Sequence, residues 1–263
     1  MDDDIPENKP VEINESAVKS VISSFTIFRF GKNGSESGFN MGLFPFVGIL
    51  TAVIAFIFGV LLYLLADNVV DTTPFGAVIL LALPLVIYGF RTTFGLMKVS
   101  DAIFPFNTGG IGPAGLMMPL ICALLTFALY IFVGVGVMFY MVPALEVAVV
   151  FAAISLVYFS KKSRDERFSG SSDTSHMITA FIITIIAGVA LSGLALLIMG
   201  NLDIKTMLMV ICMYGLAIAS GFILAKISDK RFGGMDENVF FASFDISRPI
   251  IMVLFLLLLA IVD

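Results

Sequence analysis

The densest set of chemically capable side chains lies between positions 226 and 248: Asp229, Lys230, Arg231, Gly233, Gly234, Asp236, Glu237, Asn238, Asp245 and Arg248. A hard cation such as Mg²⁺ takes carboxylate oxygens from more than one segment. Asp236 and Glu237 are adjacent, so on a helix they point about 100° apart and do not clamp one ion by themselves. Asp101, from a second polar stretch, is the partner such a site would use, and Asp245 completes the set of metal candidates. The competing reading is structural: the acids solvate a loop, and Asp245 or Ser247 caps the last helix.

Two other polar stretches offer anion chemistry. Lys161 to His176 mixes Lys161, Lys162, Arg164 and Arg167 with Asp165, Glu166 and Asp173. Paired guanidinium groups suit phosphate oxygens, which makes Arg164 and Arg167 candidate phosphate contacts. Lys98 to Pro113 holds Asp101 and the run Thr108-Gly-Gly-Ile-Gly-Pro113. Glycines before a helix N-terminus could present N–H groups to a phosphate. The spacing fits neither the dinucleotide fingerprint nor a P-loop, and a flexible turn between packed helices is the plainer reading. Arg91 stands inside an apolar stretch, where a charge marks a functional site or snorkels to the interface; both readings are open. His176, the only histidine, has no Cys or His neighbour and reads as an interfacial residue.

The elements that must position these groups are membrane helices. The 263 residues are 59% apolar and 13% charged, against roughly 45–50% and 25% in soluble domains. Charge is absent from Ser37 to Ala66, Thr72 to Phe90, Ala102 to Leu145, Met177 to Leu202 and Thr206 to Ala225. Each stretch reaches the ~18 residues that mark a span. A net charge of −5 and the lack of a basic stripe exclude a nucleic-acid binder. Residues 1–16 carry six acids and two prolines and read as a disordered acidic tail, with a single transmembrane helical domain over 17–263. Cys122 and Cys212 sit in apolar runs and read as small hydrophobes.

Cutting the apolar runs at Pro, Gly and polar clusters predicts an all-α, polytopic bundle of about seven transmembrane helices, over 41–66, 74–97, 113–140, 143–160, 177–200, 205–226 and 246–262. The run from 102 to 160 has one charge, Glu146, and is cut at Val142 and Pro143, which puts Glu146 in a first helical turn where the dipole favours an anion. Ala17 to Phe30 is too short to cross and reads as an amphipathic helix in the headgroup region or packed on the bundle. With this threading, fourteen of the fifteen Lys and Arg fall on the N-terminal side and only Lys205 on the other. The positive-inside rule then places the N-terminus in the cytoplasm and the C-terminus outside a cell (inner) membrane.

The order of landmarks resembles the cobalamin synthase family, the adenosylcobinamide-GDP ribazoletransferases. The family's T-R-(I/L)-P and F-P-L-(I/V)-G elements are matched by Phe28-Arg29-Phe30-Gly31 and Phe44-Pro45-Phe46-Val47-Gly48. Its D-G-L-A-D-x-x-D-G run falls on Phe94-Gly95-Leu96-Met97-Lys98-Val99-Ser100-Asp101-Ala102, and its D-S-R-(I/L)-G-T-x-G on Thr108-Gly-Gly-Ile-Gly-Pro-Ala-Gly115. A glycine-rich, acidic loop before the last span matches Phe232-Gly233-Gly234-Met235-Asp236-Glu237. The resemblance covers most of the chain in order, with F-P-F-V-G its one close element. It implies a Mg²⁺-dependent transfer of a nucleotide-activated corrinoid phosphate to α-ribazole or its phosphate at the cytoplasmic face. On this enzyme reading Asp101 and Arg91 are the catalytic candidates, Arg29, Arg164 and Arg167 the substrate contacts, and Asp101, Asp236, Glu237 and Asp245 the metal candidates.

The same alignment puts Phe94 and Lys98 where the family has its first two aspartates, and Thr108 and Gly110 where it has the Asp and Arg of the next motif. Two carboxylates lost and one ammonium gained change the local charge by about +3, which opposes a divalent cation. The rival reading is therefore a noncatalytic membrane subunit, scaffold or small-solute carrier that keeps the bundle. The threading itself is directly testable. Single cysteines at Ser171 and Asn201, in a background lacking Cys122 and Cys212, are expected to react oppositely with a membrane-impermeant thiol reagent on intact cells. Outside labelling of Ser171→Cys would overturn the seven-span threading.

Overall fold

The computed structural model describes residues 15–28, 41–66, 73–105, 111–165, 168 and 174–262. Most of the acidic tail, Arg29 and Arg167 lie outside the described residues. Among those described there are eight helices: α1 (Glu15–Phe25), α2 (Pro45–Ala66), α3 (Thr73–Ile87), α4 (Arg91–Ile103), α5 (Pro113–Phe159), α6 (Thr174–Ile198), α7 (Ile204–Arg231) and α8 (Glu237–Val262). Five of them, α2, α5, α6, α7 and α8, are long and apolar enough to cross a bilayer, and the bent α3–α4 pair makes a sixth candidate. The chain is a multi-pass helical membrane protein by length and hydropathy. The count of seven is not reached by helix length, because α5 is a single 47-residue element.

Within α5 the expected turn at Val142 and Pro143 is absent; both residues are helical and buried. The break is at Gly134, whose φ of 76° and ψ of 167° are open to glycine and costly for other residues. Cys122 and Glu146 each lie twelve residues from Gly134, so a straight helix would separate them by about 36 Å. Yet Arg248 bonds Glu146 at 3.0 Å and shares a cavity wall with Cys122. The chain must therefore fold back at Gly134 into two arms, 113–133 and 135–159.

The second arm is the core of the bundle. Every side chain from Met138 to Leu156 is buried, the pattern of a helix apolar on all sides and surrounded by others. Small residues let its neighbours approach. A Cβ at Gly48 of α2 would lie 3.0 Å from Val150, and one at Gly221 of α7 would lie 2.4 Å from the carbonyl oxygen of Ala152. In a lipid environment, close backbone approach of this kind is what holds helices together.

The expected second span, 74–97, is also broken. Gly89 and Phe90 both have φ of 60°, and α4 leaves α3 at an angle of 84°. Arg91 consequently begins a new helix instead of standing two turns inside a span. The break is tied to α1: the Ile27 N–H donates to Ile87's carbonyl at 2.8 Å, and Arg91 Nη1 donates to Ser24's carbonyl at 2.6 Å. Thus α1 is packed onto the bundle, with Phe25 set among Phe44, Phe240 and Phe241. It starts at Glu15, two residues before the expected start of this helix at Ala17.

The two ends of the bundle are distinct. At one, Asp229 accepts from Ser160 Oγ and the Lys161 N–H, and Ser163 pairs with Met235, so the connection after α5 is knitted to the connection after α7. Lys161, Lys162, Arg164, Lys230 and Arg231 belong to this basic end. At the other lie Gly134, the α6–α7 turn and the α2–α3 ends, where Met199 meets Gly136 and Leu62 meets Gly76. Gly134→Val should cost ~1–3 kcal/mol because it forces a β-branched residue into a left-handed conformation. Gly136→Ala, with only Met199 Cε at 3.6 Å, should be nearly neutral. Thermal unfolding of both variants in micelles checks this, and an unperturbed Gly134→Val protein would contradict the fold-back.

Candidate functional site

Charge inside the bundle is concentrated at one point. Arg248 donates from Nε and Nη2 to the two carboxylate oxygens of Glu146, both at 3.0 Å, a bidentate pair. Its Nη1 lies 3.4 Å from Asp245 Oδ1, while Asp245 Oδ2 accepts from Thr93 Oγ at 3.2 Å. Glu146, Arg248 and Asp245 are 0%, 2% and 7% exposed. Asp245 and Arg248 are three residues apart on α8 and so share a face. Pro249, which follows, has no N–H to return to Asp245's carbonyl. Tyr130 is buried within electrostatic reach of Glu146 and Arg248, and its hydroxyl has no hydrogen-bond partner among the described residues. Nearby, Thr51 Oγ donates to Tyr88's hydroxyl at 3.1 Å.

These placements change three assignments made from the sequence. Glu146 is not a first-turn anion but a mid-helix carboxylate. Arg248 is not part of the basic connection but the centre of the bundle. Asp245 does not cap α8, which starts at Glu237; it lies inside the bundle, 3.4 Å from Arg248. The signal for all three was present in the lone charge of the 102–160 run, since an intramembrane Glu without a partner is prohibitively costly. Cutting at Pro143 hid it by moving Glu146 to a helix end.

A second concavity lies at the basic end, between α4 and the start of α8. It encloses about 480 Å³ and is lined by Phe90, Arg91, Phe94, Lys98, Glu237, Asn238 and Phe241, with Gly89 at the hinge. Gly95 makes it possible for α4 to lie here, because a Cβ on it would sit 2.6 Å from Asn238's carbonyl oxygen. Phe94 and Lys98, four apart on α4, share a face, and the Lys98 ammonium rests 4.8 Å from the Phe94 ring centroid. Arg91 lies 6.0 Å from the Phe241 ring centroid.

The remaining candidates are dispersed. Asp101 closes the N-terminus of α5 by accepting from the N–H groups of Gly112 at 2.8 Å and Gly115 at 2.7 Å. Asp236 caps α8 by accepting from Val239 N–H at 2.9 Å. Arg164 donates from its backbone to Met235's carbonyl and from Nη1 to Phe232's carbonyl, which fastens the α7–α8 connection. Of the four metal candidates only Glu237 reaches the groove, and among the described residues no three His, Cys, Asp or Glu side chains gather as a metal site.

The fold and site together define a multi-pass helical membrane protein with a charged centre and a cationic groove. Comparison with protein-family models, with curated proteins and with solved structures finds no match to this chain.

The central triad makes a ranked prediction. Arg248→Met leaves two carboxylates buried together and should cost about 3–5 kcal/mol or abolish accumulation of folded protein. Glu146→Gln, which leaves Arg248 with Asp245, should be milder. Asp245→Asn, which leaves the bidentate pair intact, should stay close to the parent. Thermal unfolding in micelles reads the order, and Asp245→Asn as the most damaging of the three would contradict the geometry.

Proposed function

We propose that this chain is a seven-crossing protein of the cell membrane, with its basic end cytoplasmic, that binds an anionic, phosphate-bearing ligand in the α4–α8 groove without metal-dependent transfer. The seven crossings take the two arms of α5 separately and α3–α4 as one. The orientation rests on Lys161, Lys162, Arg164, Lys230 and Arg231 gathering at one end, which positive-inside bias assigns to the cytoplasm. The observation that carries the binding reading is Lys98 together with Arg91 on the groove, against the single carboxylate of Glu237. Aromatic walls from Phe90, Phe94 and Phe241 add a surface on which a planar group can lie.

The alternative keeps the catalysis that the cobalamin synthase resemblance implies. It needs Mg²⁺ beside a phosphoanhydride, and the carboxylates that would hold the ion are engaged elsewhere: Asp101 on the α5 N-terminus and Asp236 on the α8 N-terminus.

Purified protein given adenosylcobinamide-GDP, α-ribazole and Mg²⁺ is expected to show no transfer. GDP, titrated calorimetrically, is expected to bind about tenfold more weakly to Lys98→Glu, a change of ~1.4 kcal/mol. Chelator-sensitive turnover would overturn the noncatalytic reading. Absence of GDP binding, or binding indifferent to Lys98→Glu, would overturn the anion site.

A further inference from the structure

Beneath the groove, and separate from it, a cavity of about 270 Å³ opens between α3, the first arm of α5 and α8. Its walls are almost wholly apolar, from Leu81 and Leu85 on α3 and Pro119, Leu120 and Ala123 on α5. Leu120, on its rim, is 50% exposed, and the neighbouring Ile121, Leu124 and Val86 face outward as well. The approach is therefore through an apolar surface of the kind that meets lipid tails. At the back stand Thr93, Asp245 and Arg248. A membrane-facing apolar pocket ending in buried charge is not needed for helix packing, and its volume matches roughly nine waters or a small organic molecule.

Charge decides which molecule. Two carboxylates share one guanidinium, and the division is unequal: Glu146 holds Arg248 by two bonds of 3.0 Å, leaving Asp245 a single contact of 3.4 Å and the neutral hydroxyls of Thr93 and the adjacent Thr92. The cavity wall thus carries the weakly compensated carboxylate. In a medium of low dielectric an excess negative charge calls for a cation or a proton. An anion is repelled. A small inorganic cation would have to shed its water to cross the apolar mouth, whereas an alkylammonium carries its own apolar cover.

We propose that this cavity is a binding site for a lipophilic organic monocation, a primary ammonium on a short alkyl chain, entering from the bilayer with its head at Asp245 and its tail against Leu81, Leu85 and Leu120. Nothing in this proposal depends on the anion groove, whose lining residues are different.

Cys122 lies in the cavity wall and Cys212 is exposed on α7, so the protein carries its own reporter and control. The full chain in lipid nanodiscs is treated with methyl methanethiosulfonate, and modification at each cysteine is followed by mass spectrometry. Saturating n-hexylammonium is expected to slow Cys122 by about tenfold, corresponding to ~1.4 kcal/mol of occupancy. Cys212 is expected to keep its rate, and n-hexanol of the same length is expected to protect Cys122 far less. Asp245→Asn is expected to remove the protection by hexylammonium. Ala123→Phe, which fills the cavity and leaves the triad untouched, is expected to remove it too, and it serves if Asp245→Asn does not fold. The proposal is overturned if hexanol protects as well as hexylammonium, which is the outcome for a protonated Asp245 in a merely apolar pocket. It is equally overturned if protection survives both substitutions, if Cys212 slows in parallel, or if Cys122 is not protected.

Discussion

The bidentate pair between Glu146 and Arg248 is the constraint around which the bundle is arranged. An isolated charge at that depth would be expelled or neutralised, so each partner fixes the other's position. Glu146 is on the second arm of α5 and Arg248 on α8, which locks the register of those two helices to within a hydrogen-bond length. Asp245 and Thr93 extend the lock to α4. Three elements that are far apart in sequence are thereby held in one relation by four side chains, in surroundings where apolar packing is not very selective. Leucine slides past leucine at little cost in lipid; a carboxylate cannot slide away from its guanidinium.

Glycine supplies the complementary constraint, which is proximity. Gly221 against Ala152, Gly48 against Val150 and Gly95 against Asn238 bring α7, α2 and α8 to distances that a methyl group would prevent. Two further breaks, at Gly134 and at Gly89–Phe90, turn long apolar runs into usable architecture. The first folds α5 back so that Cys122 and Glu146 approach the same arginine. The second swings α4 away from α3 and lays it against the start of α8, which creates the groove. Phe90 adopts φ of 60° without being glycine, a strain of order 1–2 kcal/mol that the Arg91–Ser24 and Ile27–Ile87 bonds offset.

Hydropathy was sufficient to read a multi-pass helical protein, the approximate limits of most apolar segments and an amphipathic helix at the N-terminus, in the headgroup region or on the bundle. Breaks inside apolar runs were not legible in the same way. Pro143 carries the stronger helix-breaking propensity, yet it lies inside a helix where its neighbours are all buried, and the turn fell on Gly134, whose intrinsic freedom is no greater than that of Gly136 two residues on. Arg91 looked like a charge within a span because the Gly89–Phe90 break leaves no polar residue to announce it. The site residues divide along the same line. Helix-capping acids such as Asp101 and Asp236 are recognisable by spacing once the helix starts are known, and without those starts they resemble metal ligands. Asp245 and Arg248 had a legible spacing of three, but the main partner of Arg248, Glu146, is 102 positions away. Only the three-dimensional fold-back joins them.

The groove and the cavity both draw walls from α4 and α8 and share no lining residue. Arg91 and Phe94 face the groove while Thr93 faces the cavity, and on α8 Glu237, Asn238 and Phe241 serve the first while Asp245 and Arg248 serve the second. A helix that supplies walls to two sites cannot be displaced at one without moving the other, so any tilt of α4 about the Gly89–Phe90 break changes the Thr93–Asp245 bond together with the width of the groove. The electrostatics of the two sides differ. In a low-dielectric interior a charge is felt across one or two helical turns, whereas in water it would be screened over that span. Arg91 and Lys98 are exposed, so charge on the groove side is screened, while Asp245 and Arg248 on the other side are buried and feel one another at full strength.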